Sequence, residues 1–145
     1  MRKAARAIVI HNDCLLVIYR SKYGKEYYTL PGGGIDAGET PEQAIIREMH
    51  EETGVEVELE RLVFVEEPGE TFGRQYIFLA RYISGEPALH PDSEEAALNK
   101  AGQNTYLPTW LKLEDLAQTT FMSPTLQRAI QKSILDGFPM AAEPL

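Results

Sequence analysis

The chain has 145 residues, 43% of them hydrophobic, with 22 acidic against 14 basic side chains and a net charge of −8. That length and composition predict one domain around a single core. An acidic chain without a Lys/Arg cluster is a poor candidate for gripping long nucleic acid through its phosphates, and leaves room for a small anionic substrate where a metal supplies positive charge.

The opening stretch MRKAARAIVIHND is basic and then apolar. Its apolar run is too short for a signal peptide or a membrane span, so a cytoplasmic protein with no membrane partner is expected. Residues 4–10 and 15–19 read as two strands of a hairpin around Asn12-Asp13. Cys14, the single cysteine, excludes an internal disulfide, fits a reducing compartment and reads as a buried structural thiol. Residues 21–26 read as a loop, and 27–30 as a short strand stopped by Pro31. Gly32-Gly33-Gly34 then lets a ligand approach the main chain. Thr40, Pro41 and Gln43 predict a helix start: an N-cap, a first-turn proline and a capping-box partner. Gly54 marks the end of that helix. Ile45, Ile46 and Met49 form its expected apolar stripe, with Glu48, Glu51 and Glu52 to one side.

Residues 55–65 predict a long strand, bulged near Glu60-Arg61. A loop over 66–73, marked by Pro68, leads to a strand at 75–83. Residues 86–105 lack periodicity, hold Asp92-Ser93-Glu94-Glu95 and contain a short helix through Ala97-Leu98. A loop this long in a small domain is often functional. Residues 106–113 around Trp110 form the last expected strand, with Pro108 placing it at an edge or bulge. A turn of helix at 113–116 precedes a final helix from Ser123-Pro124 to about Leu135. Its expected buried face is Leu126, Ile130 and Ile134, and Gly137 stops it. Residues 138–145 are expected to be a loose tail. This order predicts α+β or a layered α/β/α arrangement.

Glu48, Glu51 and Glu52 stand at relative positions 0, +3 and +4, on one helical face, where like charges repel. A divalent cation offsets such repulsion, taking carboxylate oxygens together with waters and substrate phosphates. The plainer alternative is a solvated acidic face, which most charge clusters are. The surrounding pattern decides against it. Gly33, Glu39, Arg47, Glu48, Glu51, Glu52 and Gly54, with Met49 and Val55 at the aliphatic positions, match every fixed position of the Nudix box, and Leu30-Pro31-Gly32 looks like its usual lead-in. The chain therefore resembles the Nudix hydrolases over residues 33–55, and its element order is compatible with theirs throughout. The resemblance implies an α/β fold, a Nudix-like α/β/α sandwich with a central mixed sheet, as a single domain over 1–145.

It also implies hydrolysis of a pyrophosphate in a nucleoside diphosphate linked to another group, assisted by Mg2+ or Mn2+. Carried over by position, Glu48, Glu51 and Glu52 are the metal ligands, Glu52 the firmest of them, and the Gly32 backbone carbonyl is a further contact. Arg47 and Glu39 look like the pair that fixes the loop against the helix, with Gly33 and Gly54 as structural positions. The general base is Glu48 or a later loop glutamate, Glu94 or Glu95. Arg6, Arg20 and Arg74 are candidates to touch phosphate, and Tyr76 or Trp110 to stack on a base. Singly, each is more often a surface charge or a core aromatic. His11, His50 and His90 are not spaced as a metal cluster. The arginine-rich pattern of coenzyme A hydrolases and the SQPW-type signature of NADH hydrolases are absent, and Pro68 is not securely the proline of ADP-ribose hydrolases. The expected partner is a small nucleotide-type substrate, without extended nucleic acid, for a monomer or homodimer. Two rivals stand: a non-catalytic nucleotide-sensing module, opposed by the intact box, and an RNA-end processing enzyme, opposed by the acidic balance.

Overall fold

The computed structural model describes residues 2–67, 73–102 and 104–145. In chain order the elements are β1 (Lys3–His11), β2 (Cys14–Lys22), β3 (Lys25–Thr29), β4 (Gly32–Gly34), α1 (Pro41–Glu52), β5 (Glu56–Glu66) and β6 (Arg74–Ser84). There follow α2 (Glu94–Ala101), β7 (Asn104–Lys112), a 3-10 helix (Leu113–Gln118), α3 (Pro124–Asp136) and β8 (Glu143–Pro144). The loop expected over 66–73, with its Pro68, falls largely on residues 68–72, outside the described residues.

Asn12 and Asp13 both have positive φ, 51° and 59°, as a tight two-residue hairpin turn requires. β1 and β2 pair only beside that turn, at Ile10↔Leu15 and His11↔Cys14. Beyond it they part. β1 takes β6 in parallel and β4 antiparallel, whereas β2 runs antiparallel between β3 and β7. The resulting mixed sheet has the order β3-β2-β1-β6-β5-β8, with β4 on β1 and β7 on β2. The bulge in β5 falls where the register shifts between Leu59 and Arg61. Pro108 lies in β7, which pairs only with β2 among the described strands, so its missing N–H costs no ladder bond on the open side.

Strands buried on both faces read as nearly continuous apolar runs. In β1, Ala5, Ala7 and Val9 face one way and pack with Ala44, Ile45 and Met49 of α1. Ile8 faces the other way, into a cluster with Leu126 and Ile130 of α3. The small side chains of Ala5 and Ala7 leave room for α1 to lie close against the sheet. Helices on both sides of a mixed sheet make the α/β/α sandwich. No described helix is long and apolar enough to cross a membrane.

Four expectations are corrected. Ile46 is 48% exposed, because the buried face of α1 runs through Ala44, Ile45, Glu48, Met49 and Glu52 instead. Ile134 is 37% exposed, and Ser133 takes its place in the core. A helix at 3.6 residues per turn returns to the face of Leu126 after seven residues more closely than after eight. Residues 138–145 are not loose. β8 pairs in parallel with β5, the Leu145 N–H donates to the Val65 carbonyl, and Arg61 donates to the carbonyls of Phe138 and Pro139. Phe138 and Leu145 also pack on the α3-side core. Cys14 is free and only partly buried.

β4 is the point where the chain passes closest to another backbone. A Cβ on Gly32 would stand 2.0 Å from the Ala5 carbonyl oxygen, and its φ of +141° is strained for any other residue. Around Gly34 a Cβ would meet nothing within 4 Å. Gly32→Ala is therefore expected to cost about 3 kcal/mol or more, from backbone clash and strain together. Gly34→Ala should stay within about 0.5 kcal/mol of wild type in the same urea titration. Equal midpoints for the two variants would contradict this packing.

Candidate active site

α1 is fixed at both ends. The Thr40 hydroxyl accepts from the Gln43 N–H at 3.1 Å, and the Gln43 side chain accepts from the Thr40 N–H at 2.9 Å, completing the capping box. At the other end, Gly54 has a φ of +67° and donates to the Met49 carbonyl. The Thr53 hydroxyl donates to the same carbonyl at 2.7 Å. A helix held this way presents residues 48 and 52 one turn apart on its sheet-facing side.

Both glutamates are buried, Glu48 at 9% exposure and Glu52 at 4%. The Gly32 N–H donates to Glu52 Oε1 at 3.0 Å. Gly33 owes its lack of a side chain to Glu48: a Cβ there would lie 2.6 Å from the carboxyl carbon. Burial raises the pKa of Glu52 to about 8, against the opposing pull of Arg6 and the Gly32 N–H. Burial also raises Glu48, opposed by its hydrogen bond from Arg47.

Arg47 is the hub beside them. Its Nε and Nη2 donate to the two oxygens of Glu39 at 2.8 and 2.9 Å, a bidentate pair. Nη1 donates to Glu48 Oε1 at 2.9 Å, and Nη2 to the Gly34 carbonyl at 3.0 Å. Glu39 also accepts from the Asp36 N–H at 2.9 Å. The loop after β4 is thereby tied to α1. The Arg47 hydrogen bonds, with that from Asp36, hold Glu39 down to about 2.

α2 supplies the third carboxylate. Oxygens of Glu48, Glu52 and Glu95 all lie within 4.8 Å of one another. The segment before α2 is docked on the end of α1, through Ala88 N–H to Thr53 O at 2.7 Å and His90 N–H to Glu51 O at 3.0 Å. On its far side, the Asn99 amide bonds both backbone groups of Tyr106, at 2.6 and 2.7 Å. Three converging carboxylates form an oxygen-only donor set, which suits a hard divalent cation such as Mg2+ or Mn2+. Two of them lie buried side by side, with charge that such an ion would neutralise.

Other expected residues separate. Glu51 stands outside the three-carboxylate group, 45% exposed, with Oε2 3.5 Å from Arg47. Glu94 lines the adjoining cleft but is not one of the three. Arg6 and Arg20 line the cleft, which has a volume of about 980 Å³. Arg6 donates to Gln75 Oε1 and the Leu30 carbonyl, and burial lowers its pKa. Arg20 lies 3.6 Å over the Tyr106 ring and donates to Asn104 Oδ1 and the Thr105 carbonyl. Arg74 instead pairs with Glu67 at 2.6 Å, and Tyr76 packs into the α1-side core. Neither lines the cleft. Trp110 likewise belongs to that core, beside Tyr82 and His11. His50 and His90 are both exposed, their rings 5.9 Å apart.

Sequence reasoning missed Tyr106 and Glu66 as cleft residues. Tyr106 carried no signal beyond its aromaticity. Glu66 did: counting by twos from Phe64 puts it on the face of the core.

The NUDIX domain model matches residues 1–132. An RNA pyrophosphohydrolase of Pseudoalteromonas translucida is 45% identical over 56 residues, 39% of this chain and 33% of the relative. One from Vibrio atlanticus is 50% identical over 48 residues, 33% of this chain and 28% of the relative. These matches span about a third of the curated relatives' length. In solved structures the fold recurs in an ADP-ribose pyrophosphatase from Streptococcus suis, with a TM-score of 0.66, 20% identity and coverage of 99% of this chain and 96% of that one. It recurs also in a NUDIX hydrolase from Nitrosomonas europaea, with a TM-score of 0.73, 16% identity and coverage of 99% and 78%. With Glu39, Arg47, Glu48 and the glycine loop of the box joined by hydrogen bonds and the family model matched from residue 1 to residue 132, this chain belongs to the NUDIX family.

Proposed function

We propose that the chain hydrolyses the pyrophosphate linkage of a nucleoside diphosphate derivative: an NTP or dNTP, ADP-ribose, a nucleotide sugar or a dinucleoside polyphosphate. The observation that carries this reading is the convergence of Glu48, Glu52 and Glu95 at a cleft that also holds Arg6 and Arg20. The names of the relatives support pyrophosphate chemistry and differ in substrate. Glu48 and Glu52 would hold the Mg2+ or Mn2+, with the Gly32 carbonyl and Glu51 as further candidate ligands. The bound ion supplies charge neutralisation at the phosphoryl oxygens and acidifies water. Glu95 is the proton acceptor in this reading. Among the described residues its carboxylate takes no hydrogen bond, whereas Glu48 Oε1 is committed to Arg47. Arg47 and Glu39 keep the carboxylates and the glycine loop in register. Arg6 and Arg20 face the anionic substrate.

Glu52→Gln is expected to cut Mg2+-dependent phosphate release at least about a hundredfold across a nucleotide panel, with the circular dichroism spectrum unchanged. Wild-type turnover in this variant at saturating substrate would overturn the site. Binding of the panel without any release by the wild type would favour a sensing module instead.

The raised pKa of Glu52 gives a second expectation. In the unfolded chain Glu52 titrates near 4.5, and in the metal-free fold near 8. Below the lower value both states hold the proton and nothing is lost. Between the two values the unfolded state has released a proton that the folded state keeps, so stability falls as pH rises. The penalty is complete above about pH 8. Without divalent ions, the Tm advantage of Glu52→Gln over wild type should therefore be several degrees larger at about pH 8.5 than at about pH 5. Saturating Mg2+ should close the gap by binding the ionised wild type. A gap independent of pH in thermal melts would contradict the burial of this carboxyl group.

A further inference from the structure

Glu66 is a buried carboxylate that the pyrophosphate chemistry does not use. It ends β5, is 5% exposed, and lines the same cleft as the metal-binding glutamates. One oxygen, Oε2, accepts from the Ser123 hydroxyl at 2.5 Å. That hydroxyl in turn accepts from the Leu126 N–H at the start of α3. The other oxygen takes no hydrogen bond from any described residue, yet it is not sealed from solvent. A carboxylate offers about four lone-pair sites, and Ser123 uses one. The group is thus held on two rigid elements with acceptor capacity to spare, in a cleft wall.

Its place in the sheet says what can reach it. Gly34, Ala4, Gln75 and Glu66 lie in one row across β4, β1, β6 and β5. The row starts beside the metal-binding glutamates, through Gly32 and Gly33. Three strand spacings separate its ends, roughly 14 Å. Arg6, Gln75 and Glu66 share the α3-side face, two residues along their strands from Ile8, Ile77 and Phe64. A pyrophosphate seated at Glu48 and Glu52 would put its ribose well short of Glu66. The far edge of the base would reach it.

We propose that Glu66 reads the nucleobase and selects guanine. Guanine is the natural base whose pairing edge presents two adjacent donors, N1–H and the N2 amino group. Adenine, cytosine and uracil place acceptors beside their single donor there, and an acceptor-only carboxylate repels them. A site built to bond a particular donor rejects analogues that lack it, because its own buried group is then left unpaired. This inference rests on the pyrophosphohydrolase reading and adds the base to it.

The test compares kcat/KM for GTP, ITP, ATP and dGTP with Mg2+, in wild type and in Glu66→Gln. The substitution keeps shape and the bond to Ser123 while replacing half of the acceptor with a donor. Wild type is expected to favour GTP over ITP, which lacks the N2 amino group, by about tenfold or more. Glu66→Gln should bring that ratio close to one. The ratio is taken within each variant, so a partly folded sample does not alter it. Glu66→Ala, read the same way, should also lose the preference. A wild type that hydrolyses all four equally, or a Glu66→Gln that keeps the GTP/ITP ratio, would overturn the assignment. So would an effect that follows GTP against dGTP, since it would place the ribose at Glu66. Failure of wild type on every nucleotide, including the wider panel above, would instead defeat the pyrophosphohydrolase reading itself.

Discussion

Everything at this site depends on keeping two carboxylates, one helical turn apart, out of water and close together. Burying an unpaired ionised carboxylate is costly, and a second like charge beside it adds to the cost. The protein compensates on three sides. Arg47 donates to Glu48, the Gly32 N–H donates to Glu52, and Arg6 contributes its field from β1. The compensation is incomplete, and the raised pKa of Glu52 records the remainder. A fold that maximised its own stability would not retain this pair. Retaining it makes sense where a divalent cation completes the neutralisation.

Two of the three glycines of β4 follow from the same constraint. Gly32 must pass against Ala5, and Gly33 must leave space for the Glu48 carboxyl group. α1 can come that near because Ala5 and Ala7 are small on the face it covers. Helix, strand and glycine loop are therefore one packing unit, with Arg47 and Glu39 as its clasp. α2 is attached differently. Two backbone bonds to the end of α1 and the Asn99 amide on Tyr106 hold it, rather than an apolar face in either core cluster. Elements with few buried apolar contacts open at lower free energy than the core. Glu95 thus sits on the more easily displaced side of the cleft, opposite two glutamates on the rigid side.

What could be read in the sequence was what local chemistry decides. Thr40, Pro41, Gln43 and Gly54 announced the ends of α1, and the spacing of its glutamates announced the acidic face. Asn12-Asp13 gave the hairpin turn, and Glu60 lies where β5 slips register. What could not be read depends on contacts distant in sequence. Ile46 is as apolar as Ile45, and only the position of the sheet decides which is covered. The tail after Gly137 has no strand signal of its own; pairing with β5, the Arg61 side chain and the core beneath Phe138 and Leu145 recruit it. Glu51 and Glu95 show the same limit at the site. Spacing placed Glu51 with Glu48, but Glu51 is 45% exposed beside Arg47 and stands outside the group. Glu95 lies 43 residues after Glu52 in the chain, and only the docking of α2 brings it into the group.

The charge of the cleft ties these features to the acidic composition. Among the described residues, Arg2, Arg6, Arg20 and Lys22 line it against six glutamates: 48, 52, 66, 67, 94 and 95. Such a wall repels a pyrophosphate as long as its carboxylates are ionised. A protonated Glu52 removes one negative charge, but it also forfeits a ligand atom. A divalent cation held by Glu48 and Glu52 would settle both conflicts, since it favours the ionised carboxylate and would bring the lining close to neutral. Polyphosphate substrates usually arrive carrying such an ion, and Mg2+ binds through one or two carboxylates together with substrate phosphates rather than in an all-protein cage. The acidic balance then acts as a filter. Under the proposed function, an anion without its metal would meet repulsion, and the metal complex would find the cleft complementary.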